Sequence, residues 1–491
     1  MLKDPKVYEI NTRIWIKKFR NPSKEGGLGD IAPEVWDNFT EKGINIVWLM
    51  GIWKTCPESV KKYCFEDFLI RNYEKALRDW KEGDVIGSPY AIDTYSISPE
   101  IGTSQELKKL KEELNQKGLK LFLDFVPNHF NAGSSLIRTN PGIFLEVDEE
   151  IYKRDTHTFF NAEGSGRFFA HGRDPFFPAW QDTIQVNYFS DEAIDFMTSL
   201  LLDIAEYCDG LRCDMAMLPL ENVFANTWSG VLKKMGYKKP ERKFWKYAIE
   251  RVKEKYPEFL FIAEAYWDLE WELQQLGFDY TYDKKLTDRL LSGDAEAVRA
   301  HLGAEMSYQQ KSVRFIENHD EERAMTAFGK YRSQAAAIII STLKGMKLYY
   351  DGQFEGRKIK IPVQLGRDAE EHPVECMVDF YNKLLKIVKE DIFSYGSWKL
   401  VDVLPAWEEN RTHENILAWL WSYGSENRLI AVNYSEIHSQ CRIKLNILGY
   451  DDNFRITDLL TGSEYLRSTE ETYHQGLYID LKGFQSHIFS F

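Results

Sequence analysis

The chain has only six cysteines in 491 residues, and no two of them form a C-x-x-C pair. That excludes a dense disulfide framework and a zinc knuckle as organising devices, and makes reduced thiols in a cytoplasm the expectation. Long apolar runs are also missing. None approaches the roughly 18 to 20 residues of a membrane span, and the N-terminal stretch MLKDPKVYEINTR lacks the apolar core of a secretory signal. Basic excess is absent as well: 62 Lys and Arg stand against 76 Asp and Glu, a formal net charge of −14. This argues against a nucleic acid or an anionic membrane as partner and leaves neutral or cationic molecules. Neither an internal repeat nor a low-complexity stretch is present.

What the chain does have is apolar and aromatic surface. Hydrophobic residues make up 44%, charged residues 28% and Phe, Trp and Tyr 14%. This is the composition of a large globular protein, with a heavy supply of flat faces usable by cores and sugar clefts alike. Strand-like runs recur with helical segments between them, the pattern of a parallel sheet built from βα units. Eight runs can be placed, at Ile44–Ile52, Ala91–Ser98, Leu119–Val126, Gly210–Ala216, Phe259–Ala265, Phe278–Tyr282, Val313–Asn318 and Met346–Tyr350. Several are nearly continuous in apolar residues, as strands buried on both faces should be.

Helix signals fill the gaps. Pro33 opens a segment with Val35, Trp36 and Phe39 on one face and Gly43 behind it. Thr103 and Glu106 have capping-box spacing ahead of Leu107, Leu110 and Leu114, and Ser190 precedes Asp191 and Glu192. The expected fold is therefore α/β, a (β/α)8 TIM barrel over residues 1–129 and 190–390. Residues 130–189, rich in Gly, Pro, Asn and aromatics, are expected to form an inserted subdomain after the third strand. From about 395 the period changes to short alternating strands, which predicts an antiparallel β-sandwich domain over 395–491.

Barrel enzymes gather reacting groups at the C-terminal ends of their strands. At those ends the sequence places His129, Arg212, Asp214, Glu264, His319 and Asp320. No serine or cysteine with a suitably placed base competes with them, and the paired His and acidic ligands of a catalytic metal centre are missing. Converging carboxylates suit either a divalent cation or acid and nucleophile chemistry at an acetal.

The segments DFVPNH (Asp124 to His129), GLRCDMAM (Gly210 to Met217), FIAEA (Phe261 to Ala265) and FIENHD (Phe315 to Asp320) resemble, in order and spacing, the four signature regions of the α-amylase superfamily, glycoside hydrolase family 13. The resemblance spans roughly residues 5–360. It implies Asp214 as nucleophile, Glu264 as acid/base and Asp320 as the third carboxylate. It also implies Arg212, His129 and His319 around the bound sugar, and Tyr90 as a stacking ring. Trp267, in the loop after Glu264, is expected as a further substrate contact. Arg212, two residues before Asp214 on one strand face, is expected to keep the nucleophile ionised, while Glu264 needs surroundings that retain its proton. Cys213 should point away from Asp214. Of the other aromatics near the rim, Phe176, Phe177, Trp180, Trp228 and Trp271 are divided between sugar stacking and the core of the insert.

The implied activity is retaining cleavage of α-1,4-glucosidic bonds in malto-oligosaccharides or α-glucans through a covalent glycosyl-enzyme. The alternative is a transglycosidase such as a 4-α-glucanotransferase, and a more distant one is a catalytically silent glycan-binding barrel. Three departures stand out. Gln185 occupies a place where the family's calcium site draws on an acidic residue, Met217 and Leu218 replace a frequent Lys-His, and Asp93 lies one position before the family's usual Asp. With Asn128 as the one matching ligand, the expectation is no metal and no cofactor.

Overall fold

The computed structural model describes residues 3–19, 27–162, 166–447 and 451–491. Its centre is a closed barrel of eight parallel strands. These are β1 Lys6–Asn11, β2 Ile46–Met50, β3 Lys120–Phe125, β4 Gly210–Cys213, β5 Leu260–Ala263, β6 Tyr280–Tyr282, β7 Ser312–Arg314 and β8 Met346–Tyr350. Each strand pairs with its neighbours in chain order and β8 closes on β1, with Glu9 opposite both Trp48 and Tyr350.

Eight strands were expected, but one of the eight is different. The segment Ala91–Ser98 is not a stave of the barrel. Its strand, Ile92–Ile97, pairs antiparallel with Trp53–Thr55 in the long excursion between β2 and β3. The missing stave is β1, whose six residues are all buried although they include Lys6, Glu9 and Asn11. Polar residues that point inward break the apolar run by which the other staves are recognised.

The barrel interior is filled by large side chains, among them Trp48, Phe122, Ile262, Tyr282, Phe315 and Leu348. Gly210 opens β4 because nothing larger fits: an added Cβ would lie 2.3 Å from the Phe122 ring and 2.7 Å from the Leu260 carbonyl. Leu211 and Cys213 face the surrounding helices, so Arg212 and Asp214 face inward, as strand alternation requires. In the outer layer, helix Ser104–Gln116 begins with the full capping box, Thr103 and Glu106 bonding reciprocally, and buries Leu107, Leu110 and Leu114. Ser190 caps Asp191–Ile204 through Ala193 N–H. Such caps contribute about 1 kcal/mol each.

Between β3 and that helix the chain builds a small subdomain. His129–Asn131 pairs with Thr183–Gln185, and Glu146–Val147, Phe159–Asn161 and Phe168–Ala170 form a three-stranded sheet. Beyond the last barrel helices, strands from Ser397 to Ser490 form a six-stranded and a three-stranded antiparallel sheet with Ile416, Leu429, Ile443, Ile456 and Ile479 between them. This C-terminal β domain is fastened to the barrel by Trp421 Nε1–H donating to Thr342 O at 2.7 Å and by Tyr434 O–H donating to Leu290 O at 2.8 Å. No helix among the described residues is long and apolar enough to cross a membrane.

Candidate active site

Arg212 organises the rim. It is 1% exposed, and its guanidinium carbon lies 5.5, 5.2 and 5.8 Å from the ring centres of Trp48, Tyr90 and Tyr282. Nη1–H donates to Asp214 Oδ1 at 2.8 Å, and Nη2 lies 2.8 Å from Glu264 Oε2 as an ion pair without hydrogen-bond alignment. Asp124 Oδ1 is farther off, 3.7 Å from Nη1. One buried cation thus faces three carboxylates inside a cage of aromatic faces.

Backbone shape holds Glu264 in place. β4 ends in a turn that puts Met215 in the left-handed region (φ 40°), and its N–H donates to Glu264 Oε2 at 2.7 Å. Tyr266, two residues after Glu264, donates its hydroxyl to Oε1 at 2.7 Å. A non-glycine residue with positive φ stores strain, and here the strained turn aims its N–H at a carboxylate on the rim. Trp267 and Asp268 follow in the same region (φ 63° and 64°).

Asp214 departs from the sequence expectation that Arg212 keeps it in the ordinary carboxylate range. Burial, reinforced by Glu264 and Asp320 and opposed by Arg212, pushes Asp214 well above the ordinary carboxylate range. Asp214 has Arg212 as its donor, whereas Glu264 has a backbone N–H, a phenol and the guanidinium around it. Burial also raises Asp124 to about 6, and its Oδ2 accepts Gly51 N–H at 3.2 Å.

His319 and Asp320 stand across from this pair. Nε2 of His319 lies 3.0 Å from Asp320 Oδ2 and 2.7 Å from the Tyr90 hydroxyl, and the Tyr90 ring stacks on the imidazole at 5.3 Å. Nδ1 contacts Glu9 Oε1. Desolvation disfavours the imidazolium, but Asp320 and Glu9 outweigh it and push His319 up to about 10. The Asp320 side chain is about half exposed (48%). Desolvation works against its charge, and His319 still holds it below the ordinary range.

The residues singled out from sequence are joined to different degrees. Asp214, Glu264, Asp320, Arg212, His319 and Tyr90 form one connected cluster, as these contacts show. His319, buried with both nitrogens engaged inside the protein, has no free donor for a sugar. His129 is buried beside Trp180, its ring 5.3 Å away, and hydrogen-bonds the Tyr90 backbone, so it adjoins the cluster; burial lowers it to about 4, so it is neutral at pH 7. Trp267 is partly buried at the rim, where the exposed Phe176 packs against it edge-on at 5.0 Å. Phe177 and Trp271 are also exposed, Trp180 is half-buried, and Trp228 is in the core. Asp174, buried, shapes the loop by accepting the N–H groups of Phe176 and Phe177 at 2.6 and 2.9 Å.

Sequence reasoning missed Tyr266, Glu9, Trp48 and Tyr282. Tyr266 had a signal, a phenol two residues past a strand-end glutamate. Glu9 had none once β1 was overlooked.

The residues at the family's calcium position do not fit that ion. Gln185, fully buried, donates Nε2–H to Asn128 Oδ1 and to Asn128 O, both at 2.9 Å, and lies 3.0 Å from Val186 O. An amide nitrogen therefore stands among the oxygens that a cation would need, and they are all neutral. Among the described residues no three His, Cys, Asp or Glu side chains group as metal ligands.

The family model for the alpha amylase catalytic domain matches residues 14–140. Alpha-amylase 2 of Dictyoglomus thermophilum is 23% identical over 410 residues, covering 77% of this chain and 62% of the relative. The chain thus spans less than two thirds of that relative's length. A 4-alpha-glucanotransferase of Thermotoga maritima is 22% identical over 379 residues, 71% of this chain and 72% of the relative. The crystal structure of a maltogenic alpha-amylase from Thermotoga neapolitana superposes with a TM-score of 0.69 at 20% identity, covering 100% of this chain and 99% of that one.

Proposed function

We propose, for a chain that the family model and its amylase relatives place in the α-amylase superfamily, that the rim cleaves α-1,4-glucosidic bonds in malto-oligosaccharides or α-glucans with retention. The observation that carries this is the shared guanidinium. Asp214 and Glu264 each approach one nitrogen of Arg212 at 2.8 Å. That closeness supports the short separation of a retaining pair, roughly 5 Å, over the wider gap that admits an attacking water.

Asp214 attacks the anomeric carbon as Glu264 gives its proton to the leaving glycosidic oxygen, which leaves a glycosyl ester on Asp214. Glu264 then takes a proton from water, whose oxygen displaces Asp214. The free pair carries one proton before and after the cycle, and none while the glycosyl ester stands and Glu264 is ionised. Asp320 accepts sugar hydroxyls as positive charge develops on the ring. The substrate is a neutral glucan, and five of the six free cysteines are buried, which supports work in a reducing cytoplasm.

Transfer to an acceptor sugar is the second reading, favoured by the exposed Phe176 against Trp267, three residues past the acid/base. An aromatic face there suits a sugar on the leaving-group side. Incubation with pure maltotriose tests both readings. Glucose and maltose are expected as sole products, and chains longer than maltotriose would replace the first reading with the second.

A further inference from the structure

Glu9 lies on β1, a barrel strand whose apolar run is broken by polar residues, and its side chain is fully buried. We infer that Glu9 is a positioning residue that keeps His319 doubly protonated and through it holds Asp320 at the mouth of the site. The inference rests on the retaining reading above.

The argument is one of donors and charges. Oε1 of Glu9 contacts His319 Nδ1, and Oε2 is buried without a hydrogen-bond partner. Among the described residues no other basic side chain pairs with Glu9. A buried carboxylate with a single polar contact is strongly disfavoured unless that contact is cationic. A neutral imidazole has one N–H and could serve either Glu9 or Asp320; only the imidazolium serves both.

The neighbouring cations are already engaged. Charged or titratable groups reach this cluster from β3 (Asp124), β4 (Arg212), β6 (Tyr282) and β8 (Tyr350). Others come from the loop after β7 (Glu317 and Arg323) and from Tyr90 and Lys360. Arg212 is held by Asp214 and Glu264, and Arg323 by Glu317 at 2.7 Å. Lys360 donates to the backbone carbonyl of Asp320. His319 is the cation left between Glu9 and the Asp320 carboxylate. Trp48 closes the remaining side of the imidazole edge-on, 5.7 Å away.

The test reads His319 directly. Imidazole 15N shifts, assigned with His319→Asn, are followed from pH 5.5 to 9 in wild type, Glu9→Gln and Glu9→Asp. Wild-type His319 is expected to stay doubly protonated through pH 8.5, and Glu9→Gln to lower its midpoint by about 3 units. kcat/KM for maltotriose in Glu9→Gln relative to wild type is expected to fall at least about tenfold more at pH 8.5 than at pH 5.5, with Glu9→Asp restoring much of the loss. A neutral His319 in wild type at pH 7.5 overturns the inference even if no variant folds. So does a Glu9→Gln activity ratio that is constant with pH. Wild-type protein without turnover of any α-glucan would instead sink the retaining reading, and the 15N titration would still judge Glu9.

Discussion

Arg212 donates through Nη1 to Asp214 Oδ1 at 2.8 Å from two positions earlier on the same strand, so both side chains face the barrel axis. The same guanidinium reaches Glu264 at 2.8 Å. This cation stands between two carboxylates that would otherwise repel each other in a buried site, and its removal should be felt in both stability and chemistry. Arg212→Leu is expected to cost about 3 to 5 kcal/mol, measured by denaturant unfolding. A loss under about 1 kcal/mol would mean that water already screens the cluster.

Asp214→Asn should lower kcat on maltotriose by about four orders of magnitude with the fold intact. Glu264→Ala should be rescued by azide with formation of an α-glucosyl azide, because an anion can then attack the glycosyl ester without a general base. A β-azide would point to an inverting arrangement.

The pH profile follows from the raised member of the pair. Asp214 is pushed to about 7 by burial, so a proton leaves the coupled pair as pH rises through that region. The reactive pair carries one proton, so kcat/KM should fall on the alkaline side with a midpoint near 7. A profile flat from pH 6 to 9 would contradict this reading of the proton.

Chelation should have no effect. Gln185 Nε2 occupies the centre of the Asn128 oxygens, and the junction between barrel and insert is tied by hydrogen bonds within the protein. The melting temperature and the rate on maltotriose are expected to be the same in EDTA and in millimolar calcium. Gln185→Asp should make the melting temperature calcium-dependent by bringing a charge to those oxygens. A drop in melting temperature of the wild type in EDTA would show that a cation is bound after all.

Phe176 tests the leaving-group side. Phe176→Ala removes an exposed ring that packs on Trp267 and should leave the fold unchanged. KM for maltoheptaose is expected to rise several-fold while that for maltose changes little, since one stacked ring contributes on the order of 1 kcal/mol. Equal effects on both sugars would place the ring outside the cleft.

Much of this protein was legible as sequence because it is local. The capping box at Thr103 and Glu106 and the alternation that turns Cys213 away from Asp214 depend on neighbours in the chain. So does the placement of Arg212, Asp214, Glu264, His319 and Asp320 at strand ends. The identity of the first stave was not local. Residues 91–98 alternate as a strand should and pair outside the barrel, whereas β1 carries Glu9 and Asn11 inward and loses the apolar signature. Burial decided the charges too: inside the barrel Asp214 is pushed up, and His319 is buried between Glu9 and Asp320. Sequence by itself determined which groups reach the rim. Which of them hold protons, and which touch solvent, was decided only by the folded chain, because desolvation and charge pairing depend on residues as far apart as positions 9 and 319.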